Sequence, residues 1–245
     1  ASIRHRLHKA STAVLMVNGM GLDADIRSQF PDVGLILGTT TEGAYRRADG
    51  SLHHAGSGNT RLGAPAADVP APPWFDNFSH AVPQCHWEQD MAACLWSKLA
   101  INAAINPLTA LLGCTNGELA GDPADQVRTL CAEITAVARA AGMGRAVESL
   151  ERVVFDVIRN TANNRSSMLQ DVEAGRPTEI DYITGWLVKP EAIAAELQMK
   201  NPALFRAWFW LLRWVAPVSI AHLVMNGDAS KRSFVEHLNF QNLEF

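Results

Sequence analysis

Two textures of apolar and polar positions divide the chain. Up to about residue 89 the apolar runs are short and are closed by glycine, asparagine or proline. TAVLMV, ended by Asn18-Gly19, predicts a buried strand followed by a loop. DADIRSQF predicts a short helix with Asp23 as its cap. GLILGTTTEGAY predicts a second strand, broken at Gly38 and again at Gly43. RRADGSLHHAG holds Asp49-Gly50 between two extended segments and predicts a hairpin. NTRLG adds one more strand, and four prolines make Ala64 to Pro73 a loop.

From Asp90 onward the periodicity becomes helical. A first helix is predicted from Asp90 to Asn106. Asp122 then caps a helix with Pro123 at its first position, running to Gly142. Ala146 to Asn164 is a long amphipathic segment. Ser166 and Ser167 open SSMLQDVEAG, which stops at Gly175. Thr178 with Asp181 three residues on predicts a capping box, placing Glu179 in the first turn of a helix ending near Val188. The pattern predicts an α/β portion over 1–89, an all-α portion over 90–188 and an apolar tail over 189–245. No internal repeat or low-complexity tract interrupts it.

One helix breaks its own pattern. LWSKLAINAAINPLTA is apolar nearly all round, as buried helices are, yet Lys98, Asn102 and Asn106 recur at every fourth position and so share one slowly drifting face. Either the stripe faces water, with Asn106 before Pro107 a simple helix stop, or it faces a cleft and binds a polar small molecule. In a cleft, burial lowers a lysine pKa toward neutrality and fits it to proton donation. Asn amides can donate to ligand oxygens without adding charge.

Composition narrows the classes. With 48% hydrophobic and 19% charged residues a sizeable core can form. A net charge of −4 argues against non-specific nucleic-acid binding, and the basic cluster Arg4, Arg6, Lys9 is short enough to be a solvated face. The four cysteines include no C-x-x-C pair and no histidine cluster at ligand spacing, so neither a zinc site nor a disulfide framework is expected. A reducing, cytoplasmic setting fits best. The chain begins at Ala1, and Ala13 to Val17 is too short for the apolar core of a signal peptide.

A second dense segment is NNRSSMLQDVEAGRPTEIDYITGW. Two serines at a helix start present hydroxyls and free N–H groups that suit a carboxylate or phosphate, although taken alone ordinary capping is the better reading of them. Taken with VNGMG, GTTTEGAY, HAGSGNTRLG and LWSKLAINAAINPLTALLGCTNGEL, this segment resembles the ketopantoate reductase (2-dehydropantoate 2-reductase) family over about Val17 to Val188. The resemblance implies a partial Rossmann-type α/β domain followed by an all-helical C-terminal domain. It also implies reduction of 2-dehydropantoate to (R)-pantoate by NADPH, in pantothenate and coenzyme A biosynthesis. By the same resemblance Lys98 is the general acid, and Asn102, Asn106 and Asn116 bind substrate. Asn164, Ser166 and Ser167 match the substrate-carboxylate segment, with Arg165 standing where the family more often has an apolar residue. Glu179 matches a glutamate that contacts cofactor and helps hold substrate. Asn18 and Ala44 match positions beside the nicotinamide and ribose, Asn18 also near substrate.

The chain departs from the family in two places. It has no G-x-G-x-x-G, and GSGNTR at Gly56 to Arg61 lacks the third glycine and sits in a hairpin region. The expectation is that the first strands of the Rossmann domain are missing and that residues 1–245 alone turn over little substrate. In the tail, Leu204 to Val224 is long enough to cross a bilayer, but Arg206, Arg213 and His222 interrupt it and Pro217 would kink it. A helix packed on the α-domain or at a homodimer face is the expectation there. The alternative to a reductase is a non-catalytic remnant or fusion product retaining the helical substrate domain, membrane-associated through the tail.

Overall fold

The computed structural model describes residues 4–47 and 49–187. It divides into two compact units, one up to Leu95 and one from Trp96. The expected boundary after residue 89 falls just before the helix in which this division lies. The expected tail, 189–245, with its tryptophan-rich segment, lies outside the described residues.

The first unit is α/β. Strand β1 (Thr12–Met16), helix α1 (Leu22–Gln29) and strand β2 (Gly34–Thr40) form a parallel β-α-β unit, registered from Thr12 against Gly34 to Met16 against Gly38. A separate antiparallel hairpin follows, β3 (Gly43–Arg46) and β4 (Leu52–Gly56), turning at Asp49-Gly50 with Gly50 at φ 84°. β5 (Thr60–Gly63) then pairs antiparallel with β2, and β6 (Cys85–Trp87) pairs parallel with β5. The sheet order is β1-β2-β5-β6. Its packed side is built on Leu62, Phe75 and Cys85, with Ile36, Trp74, Phe78, Val82 and Trp87 against them. Phe75 meets Trp87 edge to face at 5.4 Å.

The second unit is helical. α3 (Met91–Leu112) carries into it from the first. α4 (Ala124–Ala140) buries Val127, Leu130, Cys131, Ile134, Val137 and Ala138, a three-to-four-residue stripe. α5 (Leu150–Asn160) buries Leu150, Val154 and Ile158 and packs on α4. Two short helices complete it, α6 (Ser167–Glu173) and α7 (Thr184–Leu187). The predicted class, a Rossmann-type α/β part followed by helices, is the observed one.

Several boundaries differ from the sequence expectation. α3 does not stop at Asn106: it passes through Pro107 to Leu112. Ala103, Ala104, Ile105, Leu108 and Ala110 are all at most 3% exposed, and that burial outweighs the hydrogen bond a proline deletes. Gly38 does not break β2. A Cβ there would sit 2.6 Å from Leu62 Cδ2 and 2.9 Å from Met16 Cγ, so glycine serves close packing of neighbouring strands. Asp23 is inside α1; the cap is Gly21, at φ 99°. Pro123, not Asp122, is the N-cap of α4. The predicted helix from Ala146 to Asn164 is a 3-10 turn to Val147 and then α5, which ends at Asn160. No capping box forms at Thr178; Glu179 opens a turn instead, its carbonyl accepting from Tyr182 and Ile183 N–H, and α7 starts only at Thr184. Helix α2 (Phe75–Ala81) and strand β6 follow the proline loop without a predicted counterpart.

Candidate active site

The polar stripe of α3 is built on a largely enclosed helix. Leu99, Ala103, Ala104 and Ile105 are 0 to 3% exposed. Lys98 and Asn102 on the same helix are half-buried, and Asn106 is 7% exposed. Exposure thus falls along the stripe toward Asn106. Among the described residues the side-chain amides of Asn102 and Asn106 form no hydrogen bond, whereas Lys98 does have a partner. Neither amide is sealed from its surroundings, so both are open to a polar ligand.

Past Pro107 the same helix is tied to the serine segment. Thr109 Oγ1 donates to Ser166 Oγ at 2.7 Å, with the carbonyls of Asn106 and Ile105 at 3.0 and 3.2 Å as competing acceptors. Ser166 Oγ also accepts from Leu169 N–H at 3.0 Å, which makes Ser166 the N-cap of α6. Ser166 is buried and fully employed as an acceptor; Ser167 beside it is exposed. Arg165, whose place the resemblance left unassigned, is ion-paired with Glu173.

Asn116 has a different setting from the α3 asparagines. It is 8% exposed, its Nδ2 donates to Thr161 Oγ1 at 2.8 Å, and its Oδ1 is enclosed without a partner. Its backbone N–H donates to the Asn164 carbonyl at 2.9 Å, and Gly117 N–H donates to the Ala162 carbonyl at 3.0 Å. The TNGEL turn and the segment leading to Ser167 are thus fastened together. Thr115 and Glu118 close a capping box on that turn. Thr109 and Thr161 were invisible as site residues in the sequence. The only available signal was a hydroxyl amid otherwise apolar helical positions.

In the first unit, Asn18 follows β1 in a loop containing Gly19 at φ 82° and Gly21 at φ 99°. A cavity of about 120 Å³ opens at the carboxyl ends of β1 and β2, lined by Val17, Gly19, Gly21, Asp23, Leu37 and Leu95 among others. Ligands of open α/β sheets bind at that edge. Asn18 sits between two of its lining residues and does not itself line it. Ala44 lies exposed on β3, opposite His54, at a register shift beside Gly43. Glu42 nearby is held below its usual pKa by a backbone hydrogen bond from Gly58 and by pairing with His54 at 2.6 Å.

Comparison with known proteins follows the same segments. The family described as "Ketopantoate reductase PanE/ApbA" matches residues 1–67, and "Ketopantoate reductase PanE/ApbA C terminal" matches residues 90–208. A 2-dehydropantoate 2-reductase of Yersinia pestis is 37% identical over 185 residues, covering 75% of this chain and 60% of that protein. The chain thus spans about three-fifths of the length of the curated relatives it matches. The crystal structure of a probable 2-dehydropantoate 2-reductase from Bacillus subtilis is 30% identical, with a TM-score of 0.61, covering 82% of this chain and 68% of that one. A D-mandelate dehydrogenase in complex with NADH shares the fold, with a TM-score of 0.73 at 22% identity, covering 86% of this chain and 72% of that one. Matching sequence in both units and a likeness to a solved relative over most of its length establish that this chain belongs to the ketopantoate reductase family.

Proposed function

We propose that the protein takes part in NADPH-dependent reduction of 2-dehydropantoate to (R)-pantoate, a step toward pantothenate and coenzyme A, and that the polar edge of α3 is the substrate side of its site. The observation that carries this reading is Asn106. It is largely buried, its amide forms no hydrogen bond with the described residues, and it stands four and eight residues from Asn102 and Lys98 on a largely buried helix. The amide is not sealed off from its surroundings, so it is open to bond the oxygens of a bound ligand. The names of the family relatives supply the substrate.

In this reading the Lys98 ammonium gives its proton to the ketone oxygen and stabilises the alkoxide as it forms. Asn102, Asn106, Asn164 and Ser167 orient the substrate oxygens. Ser166, whose oxygen accepts from Thr109 and Leu169, and Asn116, whose Nδ2 is committed to Thr161 while its Oδ1 stays unpartnered, serve by holding those neighbours. NADPH, when bound, supplies the hydride to the ketone carbon. Asn18 and Ala44 would flank its nicotinamide and ribose, and Glu179 would contact both cofactor and substrate. The cavity beside β1 supports part of this. About 120 Å³ is well below the roughly 300–1,000 Å³ that encloses a drug-sized ligand, and suits a single ring rather than a dinucleotide. The Asp23 carboxylate at its wall favours a neutral group over a phosphate. The NADH bound by the structurally similar D-mandelate dehydrogenase supports a nicotinamide nucleotide as the partner.

Among the described residues no helix is long and apolar enough to cross a membrane. A biosynthetic reductase with four free thiols is proposed to work in the cytoplasm. The test couples ketoacid binding, followed by calorimetry, with absorbance at the NADPH band. Saturable binding of 2-dehydropantoate, weakened about tenfold or more by Asn106→Ala, is expected. Whatever NADPH oxidation the chain supports should be abolished by Lys98→Ala. Absence of ketoacid binding, or oxidation indifferent to Lys98→Ala, overturns the reading.

A further inference from the structure

Thr109 lies where α3 is intrinsically weakest. Pro107 offers no N–H to the helix ladder, and the turn around it must be held by something else. The Thr109 hydroxyl is within hydrogen-bond reach of the Ile105 and Asn106 carbonyls on its own helix and of Ser166 Oγ, fifty-seven residues away in sequence. Thr109 is 0% exposed, so it touches no solvent and is not placed to touch a ligand directly. Ser166 in turn fixes the start of α6 through Leu169 N–H, immediately before the exposed Ser167. One buried hydroxyl therefore joins the helix turn that carries Asn106 to the turn that carries Ser167.

We propose that Thr109 is a positioning residue for ligand binding, acting through its hydroxyl link between the Asn106 turn of α3 and Ser166, so that Asn106 and Ser167 meet the same 2-ketoacid. This rests on the reading of α3 as the substrate side and adds a residue to it. A side chain displaced by a fraction of an ångström loses most of a hydrogen bond, so the link is expected to act on affinity well before it acts on the fold.

The experiment is a double-mutant cycle on the full chain, with 2-dehydropantoate as the probe and its dissociation constant read by calorimetry. Thr109→Val keeps shape and removes the hydroxyl; it is expected to weaken binding about tenfold, and Thr109→Ser to restore it. In an Asn106→Ala background, Thr109→Val should add less than a twofold loss, because the residue it positions is gone. A general packing defect would instead lower affinity by the same factor in both backgrounds. Should Thr109→Val not fold, Ser166→Ala breaks the same link from the other side and completes the cycle. Additive losses, or unchanged binding in Thr109→Val, overturn this inference alone. Failure of the unmodified chain to bind the ketoacid overturns the substrate-side reading, and this inference with it.

Discussion

The Asn116 amide donates to Thr161 Oγ1 at 2.8 Å, and Thr161 hands its own proton to the Val157 carbonyl at 2.6 Å. Because the single Thr161 proton is spent on α5, its oxygen can only accept, and this fixes which end of the Asn116 amide faces it. Thr161→Val should therefore strand a buried amide donor and cost about 1–3 kcal/mol, while Thr161→Ser should cost much less. Urea unfolding midpoints of the three proteins measure this.

Gly117 permits the same junction. A Cβ there would lie 2.8 Å from Ala162 Cβ and 2.9 Å from the Ala162 carbonyl oxygen, neither of them the end of a flexible chain. Gly117→Ala is expected to destabilise by about 1–3 kcal/mol through overpacking and to loosen the segment leading to Ser167. Chemical denaturation reads the first effect, and amide hydrogen exchange at Asn164 to Ser167 reads the second.

Glu133 on α4 is half-buried with Oε2 unpaired, and burial pushes its carboxyl up from 4.5 to about 7. The folded state thus holds its proton more tightly than the unfolded chain. This group disfavours folding increasingly as pH rises from about 4.5 to about 7, and not below that window. Glu133→Gln should melt higher than the unmodified chain at pH 8, on the order of 2–4 °C, with the gap closing by pH 5. Parallel melting curves at the two pH values check both the sign and the window.

Much of the fold was legible because apolar spacing alone determines it. The βαβ start, the Asp49-Gly50 hairpin and the faces of α4 and α5 follow from local pattern. What the pattern misplaced was settled by tertiary contact. Proline at 107 reads as a stop until the burial of Leu108 and Ala110 is known, and Gly38 reads as a breaker until Leu62 is seen across from it. β6 is only three residues long and gains its identity by pairing with β5. In the site, the stripe on α3 was readable from spacing. The division of labour between Ser166 and Ser167 was not, because it depends on Thr109, which is far away in sequence.

The most direct test of the account follows asparagine side-chain amide signals by nitrogen-15 NMR as 2-dehydropantoate is titrated into the chain. The Asn102 and Asn106 signals should move saturably with one dissociation constant, while the Asn116 signal, committed to Thr161, should move far less. Binding that leaves Asn102 and Asn106 unmoved, or no binding at all, would contradict a substrate site on the polar edge of α3.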